Sequence, residues 1–260
     1  MGPSYPRRNE AQFRFYEELN DFLPPERRRC SFPYSFTGTP SVKDAVEALG
    51  VPHAEVDLIL VDGRSVGFGH RLRGGERVAV YPVFESLDIS PVVRLRPRPL
   101  RHTRFVLDVH LGKLARHLRL LGFDVLYRND LEDAEIVALS VAERRLILTR
   151  DRGLLKHSAV THGYWLRQTR PSEQLREVVE RFDLAGSARP FSRCVRCNGE
   201  LQPVAAESLL EVLPPRVRRE QAGFARCGAC GRVFWRGTHY QRLLNLVAAV
   251  VKAPDSGSSE

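Results

Sequence analysis

The chain of 260 residues has no apolar stretch close to the roughly 20 residues that span a bilayer, and its longest late run, 243–251, is broken by Asn245. The first ten residues are polar and lack the apolar core of a secretory signal. Membrane insertion is not expected, and the cytoplasm is the expected compartment. Cysteine is scarce, five residues in all, and four of them fall in two CxxC pairs. In a reducing compartment that pattern favours a metal over disulfides. Positive charge is abundant and unevenly placed. Residues 1–90 carry 11 Lys and Arg against 13 Asp and Glu, whereas 91–260 carry 29 against 18, so the net charge of +9 belongs to the later part. Such a surface either gathers polyanions such as nucleic acid or serves solubility alone.

Residues 10–86 read as β–β–α–β–β. Phe13 to Tyr16 and Phe32 to Phe36 alternate aromatic with other residues, as strands with one buried face do. Ser41 is placed to cap a helix that carries Val42, Ala45, Val46 and Leu49 at helical spacing and stops at Gly50. A strand at 56–61, a turn at Asp62-Gly63 and a last strand at 77–81 complete the pattern. The segments 41–45 and 75–82 resemble a ubiquitin-like β-grasp domain of the small sulfur-carrier type. Such carriers end in a free Gly-Gly; here Gly74-Gly75 precedes a strand and the chain runs on. The ordinary reading is therefore a turn, with docking of a protein partner or scaffolding, rather than sulfur transfer, as the domain's expected role. An Arg/Pro-rich linker is expected at 87–103, stiffened by its prolines, and its arginines either touch a phosphate backbone or merely keep it solvated.

From 104 to 186 strands alternate with helices, the signature of an α/β fold with a mostly parallel sheet. Phe105-Val106-Leu107 leads directly into Asp108, and Leu146-Ile147-Leu148 leads through Thr149-Arg150 into Asp151. Short apolar runs of this kind read as buried parallel strands, and ligands of such sheets gather at the strands' carboxyl ends. Two carboxylates delivered there suit a hard divalent ion, which prefers oxygen ligands and retains waters for hydrolysis of a phosphate ester. Asp133, at the start of a helix, is the best third acid, ahead of Glu135 and Asp130; Asp133 equally suits a helix cap. On the helix after Asp108, Lys113, Arg116 and Arg119 recur every three residues, either to hold a phosphate or as a solvated basic face. Arg150 and Arg152 flank Asp151 and are expected to meet RNA or to pair with that carboxylate. His157 and His162 read as surface residues.

The run from Asp108 through Leu111-Gly112-Lys113-Leu114-Ala115-Arg116 to Leu118-Arg119, Leu121-Gly122 and Asp124, followed by Leu148-Thr149-Arg150-Asp151, resembles the Mut-seven C-terminal RNase domain family, a branch of the PIN-like nucleases. That resemblance implies a PIN-like fold and cleavage of RNA with Mg²⁺ or Mn²⁺ held by Asp108, Asp133 and Asp151. A fourth acid is usual late in PIN-like domains, and Glu173 is the residue nearest that place.

Cys194-x-x-Cys197 and Cys227-x-x-Cys230 suit a tetrahedral four-thiolate zinc site in a ribbon at 190–245. Four thiolates close the coordination sphere, so this zinc is expected to be structural. Cys30 is expected to be a partly buried free thiol. Beyond the second pair, 234–240 mixes aromatic and basic residues, either to stack on bases or to pack on the ribbon core. Phe191 to Cys194 and Trp235 to Tyr240 resemble the ribbon fused to this RNase domain, and His239 is a candidate polar contact to substrate. The Ser/Gly-rich tail from 253 is expected to be disordered. The expectation is thus a β-grasp domain, a PIN-like ribonuclease and a zinc ribbon; the rival is a non-catalytic RNA-binding or ribosome-associated adaptor.

Overall fold

The computed structural model describes residues 8–82, 103–209, 213, 216–217, 223–237 and 240–251; the linker expected at 87–103, Thr103 apart, His239 and the tail from 253 lie outside them. The chain divides into two compact units, 1–101 with 137–165 and 102–136 with 166–260. Among the described residues no helix is long and apolar enough to cross a membrane.

The first unit opens with β1 (Arg8–Phe15), β2 (Phe32–Thr37), α1 (Val42–Ala48), β3 (Val56–Val61), the short β4 (Arg64–Ser65) and β5 (Arg77–Pro82). The sheet order is β2-β1-β5-β3-β4, with β1 and β5 parallel and the other pairs antiparallel. This is the β-grasp arrangement. Its core is Phe13, Phe15, Leu19, Val42, Val46, Ile59 and Val80, the residues that period-two and helical spacing place on inner faces. Ser41 caps α1 in a full capping box with Asp44. Gly74 and Gly75 both adopt positive φ ahead of β5, and the Glu76 carboxylate accepts from the Arg73 and Gly74 amides at 2.6 and 2.8 Å. The pair is a turn. Cys30, expected to be partly buried, is exposed, because it lies on the short excursion between β1 and β2 rather than in a strand.

The α/β region runs β6 (Arg104–Leu107), α2 (Gly112–Leu120), β7 (Asp124–Leu126), α3 (Asp133–Glu143), β8 (Leu146–Thr149), α4 (Arg152–Leu155), β9 (Gly163–Trp165) and α5 (Pro171–Arg181). Pairing is parallel between β6 and β7 in one unit and between β8 and β9 in the other. Phe105, Val106 and Leu107, like all four residues of β8, are buried, as strands covered on both faces require. Three antiparallel strands follow, β10 (Leu201–Pro203), β11 (Ala225–Cys227) and β12 (Val233–Phe234), and then α6 (Tyr240–Val251).

Gly122 ends α2 at φ +92°, where a Cβ would stand 2.2 Å from the Arg189 carbonyl oxygen and 2.6 Å from the Ser192 hydroxyl. Gly63, at φ +79°, has open space around it. Alanine at Gly63 is therefore expected to cost about 1 kcal/mol of backbone strain, and alanine at Gly122 about 2 kcal/mol more through overpacking. Equal losses of thermal unfolding midpoint in the two variants would contradict the close approach at Gly122.

Candidate active site and metal centre

Asp108 ends β6 and is buried; its Oδ1 accepts from the His110 amide at 3.0 Å and so caps the turn that leads into α2. The Tyr127 hydroxyl donates to the Val109 carbonyl in that turn at 2.8 Å. A Cβ at position 112 would lie 2.6 Å from the same hydroxyl oxygen, which explains glycine at that point of the Asp108 motif. Asp133 is exposed as the first residue of α3. Its two rivals are engaged elsewhere: Asp130 pairs with Arg128 at 3.2 Å, and Glu135 pairs with Arg128 at 3.0 Å while accepting from the Glu132 amide at 3.0 Å. Glu173, the late acid, faces Arg170 at 3.6 Å across an exposed i,i+3 pair.

Asp151 belongs to the other unit. Its amide donates to the buried Thr149 hydroxyl at 2.8 Å, and its Oδ1 accepts from the Gly153 amide at 2.7 Å, capping the short α4. Both neighbours of Asp151 are tied to Trp165. The indole N–H donates to the Arg150 carbonyl at 3.1 Å, and the Arg152 guanidinium stands 4.1 Å from the indole and 5.1 Å from the Phe22 ring. Arg152, expected to meet RNA or pair with Asp151, thus lies over two neighbouring rings, while Arg150 is exposed.

The ubiquitin-like domain clamps the same segment. Phe22 meets Trp165 with ring centres 5.1 Å apart, and Glu55 accepts from the Trp165 amide. His53 bridges Glu47 at 2.6 Å and the Val160 carbonyl at 2.9 Å, and Lys156 donates to the Glu47 carbonyl at 3.0 Å. Sequence reading missed Trp165 as an anchor. A tryptophan closing a short strand was the available signal, but nothing in the spacing tied it to Phe22.

The basic row on α2 resolves into two roles. Lys113 and Arg116 are exposed, whereas Arg119 is buried. Steps of three residues turn about 60° against the helix period each time, so the third member of the row enters the buried side. Arg119 donates through Nε and Nη2 to the Val125 carbonyl at 3.0 and 2.8 Å, and through Nη1 to the Arg196 carbonyl at 2.8 Å. Burial lowers its pKa below the usual guanidinium value, against the opposing pull of Cys197 and Cys194. The phosphate contact expected of Arg119 is therefore corrected to a structural one, because its donors serve carbonyl oxygens.

Arg196 lies in the first cysteine knuckle. Asn198, at φ +72° in that turn, accepts from the Val125 amide at 3.0 Å and donates to Asp124 at 2.8 Å. The four cysteines converge, with all sulfurs within 4.8 Å of one another and neighbouring sulfurs 3.8 Å (Cys194, Cys230) and 3.4 Å (Cys197, Cys227) apart. A tetrahedral zinc with bonds of about 2.3 Å sets its sulfurs about 3.8 Å apart, so this donor set fits. Burial pushes the Cys197 thiol up to about 12. Burial acts in the same direction on Cys227, but the Cys230 amide and the Cys197 thiol outweigh it and bring that thiol down to about 7.

Arg119→Lys keeps the charge and loses the planar fork. It is expected to surrender zinc to a chelator roughly tenfold more readily than wild type, with Arg116→Lys unchanged; identical zinc retention in both variants would refute the support assigned to Arg119. Phe22→Ala removes one wall of the Arg152 stack and is expected to raise amide exchange at Gly153 about tenfold, read by hydrogen-exchange mass spectrometry of peptides covering 150–155. An unchanged rate there would mean that the ubiquitin-like domain does not steady the Asp151 turn.

The family model described as the Mut7-C RNAse domain matches residues 103–247, and that described as Mut7-C ubiquitin matches residues 8–88. No curated protein and no solved structure matches the chain. The first match covers more than half of the sequence and takes in Asp108, Asp133, Asp151 and all four paired cysteines, so ribbon and α/β region are parts of one family domain. The chain belongs to the Mut7-C RNAse domain family, with a Mut7-C ubiquitin domain ahead of its RNase domain.

Proposed function

We propose that the protein is a metal-dependent ribonuclease that hydrolyses RNA phosphodiester bonds through Asp108, Asp133 and Asp151. The observation that carries this reading is the family match over 103–247, within which buried strands β6 and β8 lead into two of the three acids. The donor set is all carboxylate, the hard-oxygen chemistry that Mg²⁺ and Mn²⁺ take. Such an ion, when bound, supplies Lewis-acid charge and lowers the pKa of a water at the scissile phosphorus.

The remaining work falls to the chain itself. A backbone N–H on one oxygen of Asp108 and of Asp151 orients each carboxylate. Lys113 and Arg116, exposed on the helix that starts four residues after Asp108, hold the phosphate, and Arg150 adds positive charge beside Asp151. The zinc ribbon carries structural zinc and guides the RNA strand. The ubiquitin-like domain serves first as a scaffold for the Asp151 turn, with a separate protein partner as its second role.

The test is cleavage of mixed RNA with Mn²⁺. Asp151→Asn and Asp108→Asn are each expected to lower the rate at least about a hundredfold, a few kcal/mol of transition-state stabilisation, with RNA binding retained. Arg116→Ala is expected to weaken the apparent RNA affinity and to flatten its salt dependence by about one unit of slope. RNA binding without metal-dependent cleavage in the wild type would point instead to a non-catalytic adaptor. A covalent adduct on the ubiquitin-like domain, seen by intact mass, would point to a carrier.

A further inference from the structure

A groove of about 520 Å³ beside the cysteine cluster has no part in the cleavage chemistry assigned above. Phe191, Phe234, Trp235 and Tyr240 line it, together with Arg232 and Arg236. Among the described residues no carboxylate lines it, and its polar groups include guanidinium donors. Trp235 is 39% exposed, a large apolar surface left facing solvent at the groove.

The local chain is built to hold these rings. The Gly237 amide donates to the Trp235 carbonyl at 3.0 Å and the Tyr240 amide to the Gly237 carbonyl at 2.9 Å. A Cβ at Gly237 would stand 3.0 Å from the indole nitrogen, so glycine leaves the indole its place. The Arg236 guanidinium lies 5.5 Å from the centre of the Tyr240 ring. Phe191 adopts φ +61°, a left-handed conformation costly for a residue with a Cβ, and its amide is pinned to the Leu120 carbonyl at 2.8 Å. That strain brings its ring within 5.1 Å of Tyr240. Packing of a small ribbon core does not call for an exposed indole or for two exposed arginines, Arg232 and Arg236, lining the same groove.

We infer that this groove is a base-stacking site that takes a nucleobase of single-stranded RNA, with Arg232 and Arg236 on the adjoining phosphates. The ligand must be flat, to lie on aromatic faces, and anionic, to match guanidinium groups. A nucleotide within a strand is both. Stacking on an aromatic side chain serves any base, so the site grips a strand without reading its sequence. This deepens the ribonuclease reading and rests on it for the choice of RNA as the class of ligand.

Binding separates this site from cleavage. The probe is fluorescein-labelled decauridylate, whose bases stack weakly on one another, against a decamer of abasic ribose phosphates carrying the same charge. Both are titrated into full-length Asp151→Asn protein without added Mg²⁺ or Mn²⁺. Trp235→Ala is expected to weaken binding of the uridylate at least fivefold, the low end of stacking free energies, and to leave the abasic strand within twofold. Trp235→Phe is expected to restore the difference. As a check that does not require an alanine variant to fold, Trp165→Phe leaves Trp235 as the one tryptophan of the chain; its emission should be quenched by the uridylate and not by the abasic strand. Equal loss on both strands, uridylate binding unchanged in Trp235→Ala, or quenching by the abasic strand would overturn the inference. Competition by free uridine monophosphate at micromolar concentration would overturn it in favour of a mononucleotide site. Stacking by a protein that never cleaves would keep the inference and sink the ribonuclease reading, whereas cleavage without stacking would do the reverse.

Discussion

The guanidinium of Arg119 is the constraint on which the 102–136 and 166–260 unit depends. A charge removed from water costs several kcal/mol unless its donors are met. Here they are met by carbonyls that come from two places: Val125 on β7, and Arg196 in the first cysteine knuckle. A carbonyl has no intrinsic reason to turn toward this point. The buried cation supplies one, and so fixes the knuckle against the edge of the α/β region. Asn198 repeats the link with neutral groups, taking both the Val125 amide and the Asp124 carboxylate. The ribbon is thus held to β7 by polar bonds, which agrees with one family domain extending from 103 to 247.

How much of this was legible in the sequence depends on the kind of interaction. Periodicity finds faces, so the burial of Leu114, Ala115, Leu118 and Leu121 on α2 followed from spacing alone. Capping is local, so Ser41 and the helical start at Asp133 could be read from their neighbours. Arg119 sits at the margin between the two faces of its helix, where the residue's charge argues for solvent, and its burial depends on backbone carbonyls that carry no sequence mark, Val125 six positions later and Arg196 77 positions later. Nothing local distinguishes the two. The four-residue α4 escaped because it is too short for a period to register, and Asp151 serves it as a cap as well as a candidate ligand. The apolar run at 243–251 is too short for a membrane, yet within α6 it belongs to a helix of ordinary length.

The two glycines of the ubiquitin-like domain show how one motif acquires a different use. In carriers of that fold the work is done by a free Gly-Gly end. Here Gly75 donates its amide to the Glu10 carbonyl at 2.6 Å and Gly74 meets the Glu76 carboxylate, so both are spent on the turn before β5. The residues that reach outward from the fold are others: Phe22, Glu47, His53 and Glu55, all outside its strands.

Their common target is the stretch from Arg152 to Trp165, and this gives the domain a function that requires no second protein. Trp165 closes a three-residue strand, too short to hold a turn still by its own hydrogen bonds. Its amide, indole N–H and ring are each occupied, by Glu55, by the Arg150 carbonyl and by Phe22 with Arg152. A stacked guanidinium contributes about 1 kcal/mol where exposed and about 2 where desolvated, and here it fixes the residue next to Asp151. Asp151 itself is exposed, and Thr149 and Gly153 orient it locally. Order is added to its turn from outside the α/β region, by a domain against whose core Trp165 packs. A chain lacking that domain would keep the sequence motif at Asp151 and lose the rings and acceptors that hold the motif in one conformation.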